Sequence, residues 1–286
     1  MKILTKFTFF ISIIFLFLGC SAKTFPSDNR VYDSPNNYEY TYTKHIFKSF
    51  DTTPLYAYHM KTDEKSKGLI VIANGMKQNM SFRFTEWLWI LDAGYDIFIF
   101  DYRSYGDSHA DADLYGFIDD VQAALEYAHG IEKDKKIVLV GQSMGGTFVI
   151  NALSDKKYDY LSFVVADSTF IGFDSVMSNF MMRSILLFPF FWVPYITIPN
   201  GLNADENIDY LKTPILFISG DDDLVINYKH SIELYKRTKS KKALWIVKGA
   251  GHVQSFNNLD VREEFLKVLK DNKLLFTKPQ RNFLEK

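Results

Sequence analysis

Ser143 sits in the hexapeptide Gly141-Gln142-Ser143-Met144-Gly145-Gly146, between the apolar run 136–140 and the helically spaced segment 147–153. A tight strand-to-helix turn lifts a serine hydroxyl clear of the sheet. It also sets that hydroxyl at a helix start, where orphan N–H groups favour developing negative charge. Side chains at Gly141 and Gly145 would collide with neighbouring backbone in such a turn, so the glycines are a steric requirement. The chemistry is nucleophilic attack on a carbonyl, with Ser143 as the candidate nucleophile. A hydroxyl attacks poorly until a base takes its proton, and a histidine is the usual base.

Six histidines are available. His45 and His59 fall in a predicted hairpin, and His109 decorates a polar loop. His129 ends a predicted helix and His230 lies within one; both read as solvated surface residues. His252, in Gly249-Ala250-Gly251-His252, directly follows the last apolar strand, and a loop there can carry an imidazole to the serine. It is the candidate base. The acid must orient that imidazole and stabilise its cation. Gly220-Asp221-Asp222-Asp223-Leu224-Val225 follows the run PILFIS, which supplies the chain order Ser, Asp, His. Three adjacent aspartates cannot all serve, and two of them read as turn-forming or solvated. Asp167, at the end of the preceding strand, is the reserve. Oxyanion donors are expected from the backbone N–H groups of Met144 and of Met76, the latter in the loop Asn74-Gly75-Met76. Acyl transfer of this kind needs no metal and no organic cofactor, and no histidine–carboxylate spacing suggests a metal site.

These residues need a frame that aligns strand ends. Segments 45–49 and 55–60 flank Asp51-Thr52-Thr53-Pro54 as a hairpin. Apolar runs at 68–73, 95–100, 136–140, 161–166, 215–219 and 243–247 read as buried strands. Helical spacing at 82–92, 114–129, 147–153, 228–237 and 261–269 fills the intervals. The alternation predicts an α/β fold, a mostly parallel central sheet with helices on both faces. A small apolar cap is expected as an insertion at about 170–205, because a structureless loop of that length is uncommon and Pro189 and Pro194 would interrupt a helix. Phe188, Phe190, Phe191 and Trp192 are its candidate contacts to an acyl chain; an ordinary buried helix pair or a membrane-dipping loop are the alternatives for this segment.

With 286 residues, 47% hydrophobic, the chain can bury a large core. A formal net charge of −1 removes the electrostatic case for binding nucleic acid. Lys2 and Lys6 precede the apolar stretch 7–18 and then Gly19-Cys20, the pattern of a secretory signal, too short to span a bilayer comfortably. Cys20 is the single cysteine, so no intramolecular disulfide forms.

The elbow GQSMGG, the segments FDYRSYGDS (100–108) and PILFISGDDDLV, and the strand and loop KALWIVKGAGH together resemble the α/β-hydrolase superfamily over 44–269. They are most similar to its lysophospholipase-like and serine-aminopeptidase-like branch. The resemblance implies Asp223 as the acid. It departs at Asn74-Gly75, where the family's oxyanion loop usually begins His-Gly. Leu18-Gly19-Cys20, with Phe17 where leucine is usual, resembles the lipobox of bacterial lipoproteins. That implies cleavage before Cys20 and a diacylglycerol on its sulfur. The expected layout is a signal peptide (1–19), a lipidated Cys20 with a polar tether (20–43), the hydrolase domain (44–275) and a tail (276–286). The expected activity is cleavage of a small-molecule or lipid acyl ester by an exported, membrane-anchored enzyme. Peptidase, amidase or thioesterase activity on the same residues, or a non-catalytic envelope binding protein, are the alternatives.

Overall fold

Short runs of branched aliphatic residues become the central strands of one nine-stranded sheet in the computed structural model, which describes residues 27–283. The strands are β1 (Thr41–Lys48), β2 (Pro54–Lys61), β3 (Leu69–Ala73), β4 (Asp96–Asp101), β5 (Ile137–Gln142), β6 (Leu161–Asp167), β7 (Ile215–Gly220), β8 (Lys242–Val247) and β9 (Gln280–Phe283). Their spatial order is β1-β2-β4-β3-β5-β6-β7-β8-β9. The β1–β2 and β2–β4 pairs are antiparallel, and every other pair is parallel. The architecture is the expected one.

Side-chain alternation divides each central strand between two cores, which is why the strands read as continuous apolar runs. Leu69, Val71, Phe98, Leu139, Val164 and Phe217 face one core. Helices α1 (Leu114–Ile131), α2 (Met144–Ala152) and α4 (Lys229–Arg237) contribute Phe117, Phe148 and Leu234 to it. Ile70, Ile99, Val140, Val165 and Ile218 face the other, with Val261 and Phe265 of α5 (Leu259–Lys270).

Three elements differ from their expected form. The segment predicted as one helix over 82–92 is a helical turn (Met80–Arg83), a 3-10 turn (Phe84–Trp87) and a second short helix (Leu88–Asp92). Phe84, Trp87 and Ile90 are all buried at a spacing of three, which a 3-10 turn places on one face better than an α-helix does. The C-terminal stretch is partly a strand: β9 pairs with β8, Phe283 lies 5.2 Å from the Trp245 ring, and Arg281 pairs with Glu264. The stretch expected to be a tether is docked from Ser27 onward. The Asn79 carboxamide donates to the Asp28 and Arg30 carbonyls (2.8 and 2.7 Å), Gly106 N–H donates to the Asp28 carbonyl, and Tyr32 N–H donates to Ser81 Oγ. The signal segment, Cys20 and residues 284–286 lie outside the described residues.

The insertion lies between β6 and β7. It contains α3 (Phe173–Met182), a 3-10 turn (Phe188–Phe190) and short helices Pro194–Thr197 and Ala204–Asn207. Pro189 and Pro194 stand in the first turns of two of these elements, where a missing N–H costs nothing.

Candidate active site

The turn between β5 and α2 holds Ser143 at φ 53° and ψ −119°, a left-handed backbone that a side-chain-bearing residue adopts only under strain. Packing enforces it. A Cβ on Gly145 would lie 2.2 Å from the Ala73 carbonyl oxygen, and one on Gly141 would lie 2.5 Å from Gly146 Cα. Ser143 N–H donates to the Asp167 carbonyl at 2.7 Å, pinning the turn to the end of β6.

The loop after β8 brings His252 to the serine, with Nε2 3.0 Å from Ser143 Oγ. On its other side, Nδ1 lies 2.8 Å from Asp223 Oδ2. Asp223 is buried, and its Oδ1 accepts from Val225 and Ile226 N–H, both at 2.8 Å. Those donors occupy one carboxylate oxygen and leave the second facing the imidazole. Asp221 acts on the backbone instead. Gly249 N–H donates to its carboxylate at 2.7 Å, clamping the acid loop to the histidine loop. Asp222 is exposed, and its N–H donates to the Ala250 carbonyl. The structure therefore brings Ser143, His252 and Asp223 into one hydrogen-bonded line.

Met144 opens α2, so its N–H belongs to the unsatisfied first turn. The loop carrying Met76 abuts the nucleophile: a Cβ on Gly75 would lie 3.1 Å from Ser143 Cβ. Asn74, standing where histidine is usual, is buried, and its Nδ2 donates to the Phe100 carbonyl at 3.5 Å. A cleft of about 310 Å³ opens beside His252, lined by Trp87, Gln142, Val253 and Phe256 among others. Phe188, Phe191 and Trp192 of the cap are exposed.

Sequence reading missed a supporting layer beneath the histidine. Asp167, the reserve acid, makes no hydrogen bond to His252. Its Oδ1 accepts from Ser168 Oγ and Ser255 Oγ, each at 3.2 Å. Ser168 Oγ in turn accepts from Val253 N–H at 3.0 Å, fixing the residue after the histidine. Complete burial, opposed only in part by the nearby His252 charge and the two hydroxyls, pushes the Asp167 carboxyl up to about 7. The polar pair Asp167-Ser168 closing an apolar strand was the available signal.

The other histidines lie elsewhere. His109 is exposed. His129 is not freely solvated, because it stacks on Tyr160 with ring centroids 3.7 Å apart. His230 is half-buried and lies 3.4 Å from Ile171 N–H, which donates to its Nδ1. His59, Asp96 and Glu132 offer three possible ligand atoms within 4.8 Å of one another, and Asp96 begins its strand whereas the elbow follows the end of β5. The Lys135 ammonium pairs with both carboxylates there. Burial would raise the Asp96 carboxyl, but the His59 imidazole, the Lys135 ammonium and the Thr62 N–H hold it down at about 2.

A serine at a strand-to-helix elbow, set on a mostly parallel sheet flanked by helices, defines an α/β-hydrolase fold. Residues 64–206 match the family Serine aminopeptidase, S33, and the chain belongs to that family. It is similar to the uncharacterized protein YfhR of Escherichia coli K12, with 27% identity over 191 residues, 66% of this chain and 64% of that protein's length. The YfhR protein of Salmonella typhimurium is 25% identical over 271 residues, 88% of each chain. Among solved structures, the Pyrococcus furiosus esterase Pf2001 superposes with a TM-score of 0.68 at 21% identity, over 88% of this chain and 97% of that one. The fold is that of the α/β-hydrolases.

Proposed function

We propose that the protein is a serine hydrolase that cleaves acyl esters, of carboxylesterase or lysophospholipase type, through an acyl-enzyme on Ser143. The observation that carries this reading is the line Ser143 Oγ–His252 Nε2 (3.0 Å) and His252 Nδ1–Asp223 (2.8 Å). In the first step, Oγ bonds to the carbonyl carbon as its proton passes to His252 Nε2. The imidazolium, steadied by Asp223, then protonates the departing alkoxide. Water repeats the sequence on the acyl-serine and releases the acid. The Met144 and Met76 N–H groups hold the oxyanion in both steps.

We assign the polypeptide to the exported lipoproteins of a bacterial membrane, anchored through Cys20, on the strength of Lys2, Lys6, the apolar stretch and Leu18-Gly19-Cys20. Among the described residues no helix is long and apolar enough to cross a membrane. Because the family is described as serine aminopeptidase, aminoacyl amides are the competing substrates. Turnover of an ester chain-length series against aminoacyl amides separates the two.

The test of the nucleophile is fluorophosphonate labelling of the full-length protein. Wild type should label and Ser143→Ala should not, with turnover reduced by about a millionfold. Retention of more than roughly a hundredth of wild-type turnover would remove Ser143 from the reaction.

A further inference from the structure

The cap has two unlike faces. Phe170, Phe173 and Met181 are buried against the body. The outer face leaves Ile185 98% exposed, Leu186 81% and Ile196 72%, with Phe188 and Trp192 also exposed. Over 182–199 the single charged residue is Arg183. A contiguous apolar surface of this kind is a contact surface rather than an ordinary solvated loop.

The surface reaches the rim of the site. Arg183 donates to the Leu224 carbonyl at 3.4 Å. Leu224 and Val225, next to the buried Asp223, are themselves exposed. On the opposite rim lies the docked N-terminal arm. Asn79 and Gly106, which hold it, follow β3 and β4 at the sheet edge that also carries Ser143, Asp223 and His252. The arm's Ser27 and Asn29 adjoin Ser104 and His109, and Tyr115 OH continues the path by donating to the Asn200 carbonyl in the cap. Seven residue steps separate Ser27 from Cys20, a reach of at most about 25 Å. A lipid on Cys20 would therefore hold this same edge against a membrane.

We infer that the outer face of the cap, with Leu224 and Val225, docks on a phospholipid bilayer and turns the mouth of the Ser143 site toward the lipid surface. The inference rests on the proposed anchor at Cys20 for its orientation. It makes the substrate class one presented at that surface, a lipid acyl ester. The driving force is apolar burial, because a net charge of −1 offers no general attraction to anionic headgroups.

Trp192 reports on the face directly, since Trp87 and Trp245 are buried and Trp89 is half-buried. Full-length protein is placed in phosphatidylcholine vesicles with and without bromine on the acyl chains. Docking predicts that brominated lipid lowers tryptophan emission in wild type and in Ser143→Ala by up to the share of Trp192, one of four tryptophans. The loss should disappear in Trp192→Phe and shrink in the exposed-site variant Ile185→Asp/Leu186→Asp. Protein that floats with the vesicles while Trp192 stays unquenched overturns the inference. So does a Trp192 shielded from aqueous iodide in a lipid-free dimer, which would make a second copy the occupant. The mass of the N-terminal peptide reports lipidation of Cys20, and fluorophosphonate labelling reports Ser143, so failure of either reading is distinguishable from failure of docking. Quenching without lipid on Cys20 keeps the docking face and removes only the anchor.

Discussion

Asp223 and Asp167 are buried carboxyls near the same histidine, and their surroundings give them opposite roles. Asp223 receives two backbone N–H groups and faces His252 Nδ1. Asp223→Asn keeps the shape but favours the wrong imidazole tautomer, so kcat on an activated ester should fall about ten-thousandfold with the fold intact by circular dichroism. Asp167 receives only hydroxyls and is held up to about 7 by burial. Its folded value lies above its unfolded one, so its stabilising contribution is complete below about pH 4 and is lost as pH rises through about 7. Urea unfolding of wild type and Asp167→Asn across that interval should show the wild type losing ground by at most about 4 kcal/mol. A pH-independent difference would mean that the carboxyl is ionised in the folded protein throughout.

At the scale of elements, the strained turn at Ser143 persists because β3, β5 and α2 approach too closely for side chains at Gly141 and Gly145. The last element is simpler to test. Strand β9 covers the β8 edge, and Phe283 and Arg281 both lie against the Trp245 ring. Phe283→Ala should lower unfolding free energy by about 1–2 kcal/mol, less than for a fully buried ring because Phe283 is half-buried. Chemical denaturation followed by Trp245 emission measures it. The FDYRSYGDS segment is likewise an element-level device. Arg103 joins Asp120 of α1 to Asp51 of the hairpin turn, each at 2.8 Å, while Ser108 Oγ bridges the Asp101 carbonyl and Tyr56 N–H.

At the scale of the molecule, one sheet with a core on each face fixes the strand ends, and the segments carrying Ser143, the cap, Asp223 and His252 follow the ends of the parallel strands β5, β6, β7 and β8. The proposed anchor and cap docking, with near-neutral charge, predict membrane retention that resists about 1 M salt, where the screening length is about 3 Å. Sedimentation of washed membranes checks this. Release into the supernatant would indicate ion pairing to headgroups in place of apolar contact.

Strand and helix order, the elbow, and the identity of Ser143, His252 and the acid loop were legible in the chain, because period-two and helical spacing and the sterics of a glycine turn act over a few residues. Resemblance to a family pattern singled out Asp223 from its neighbours; local rules left Asp221 and Asp222 open, and only the fold shows Asp221 clamping Gly249. The 3-10 turn at Phe84–Trp87 follows from burying Phe84, Trp87 and Ile90 at once, a tertiary demand that overrides helical spacing. Strand β9 is short and polar-flanked, so pairing with β8 makes it a strand rather than any propensity of its own. His252 and Ser143 are 109 residues apart, and Asp167 and Ser255 are 88 apart. Contacts at that range depend on how the sheet stacks its strand ends, which local periodicity does not encode. The residue types and their order were therefore properties of the sequence, while the distances, the burial of Asp167 and the shared edge of site and cap were decided by tertiary packing.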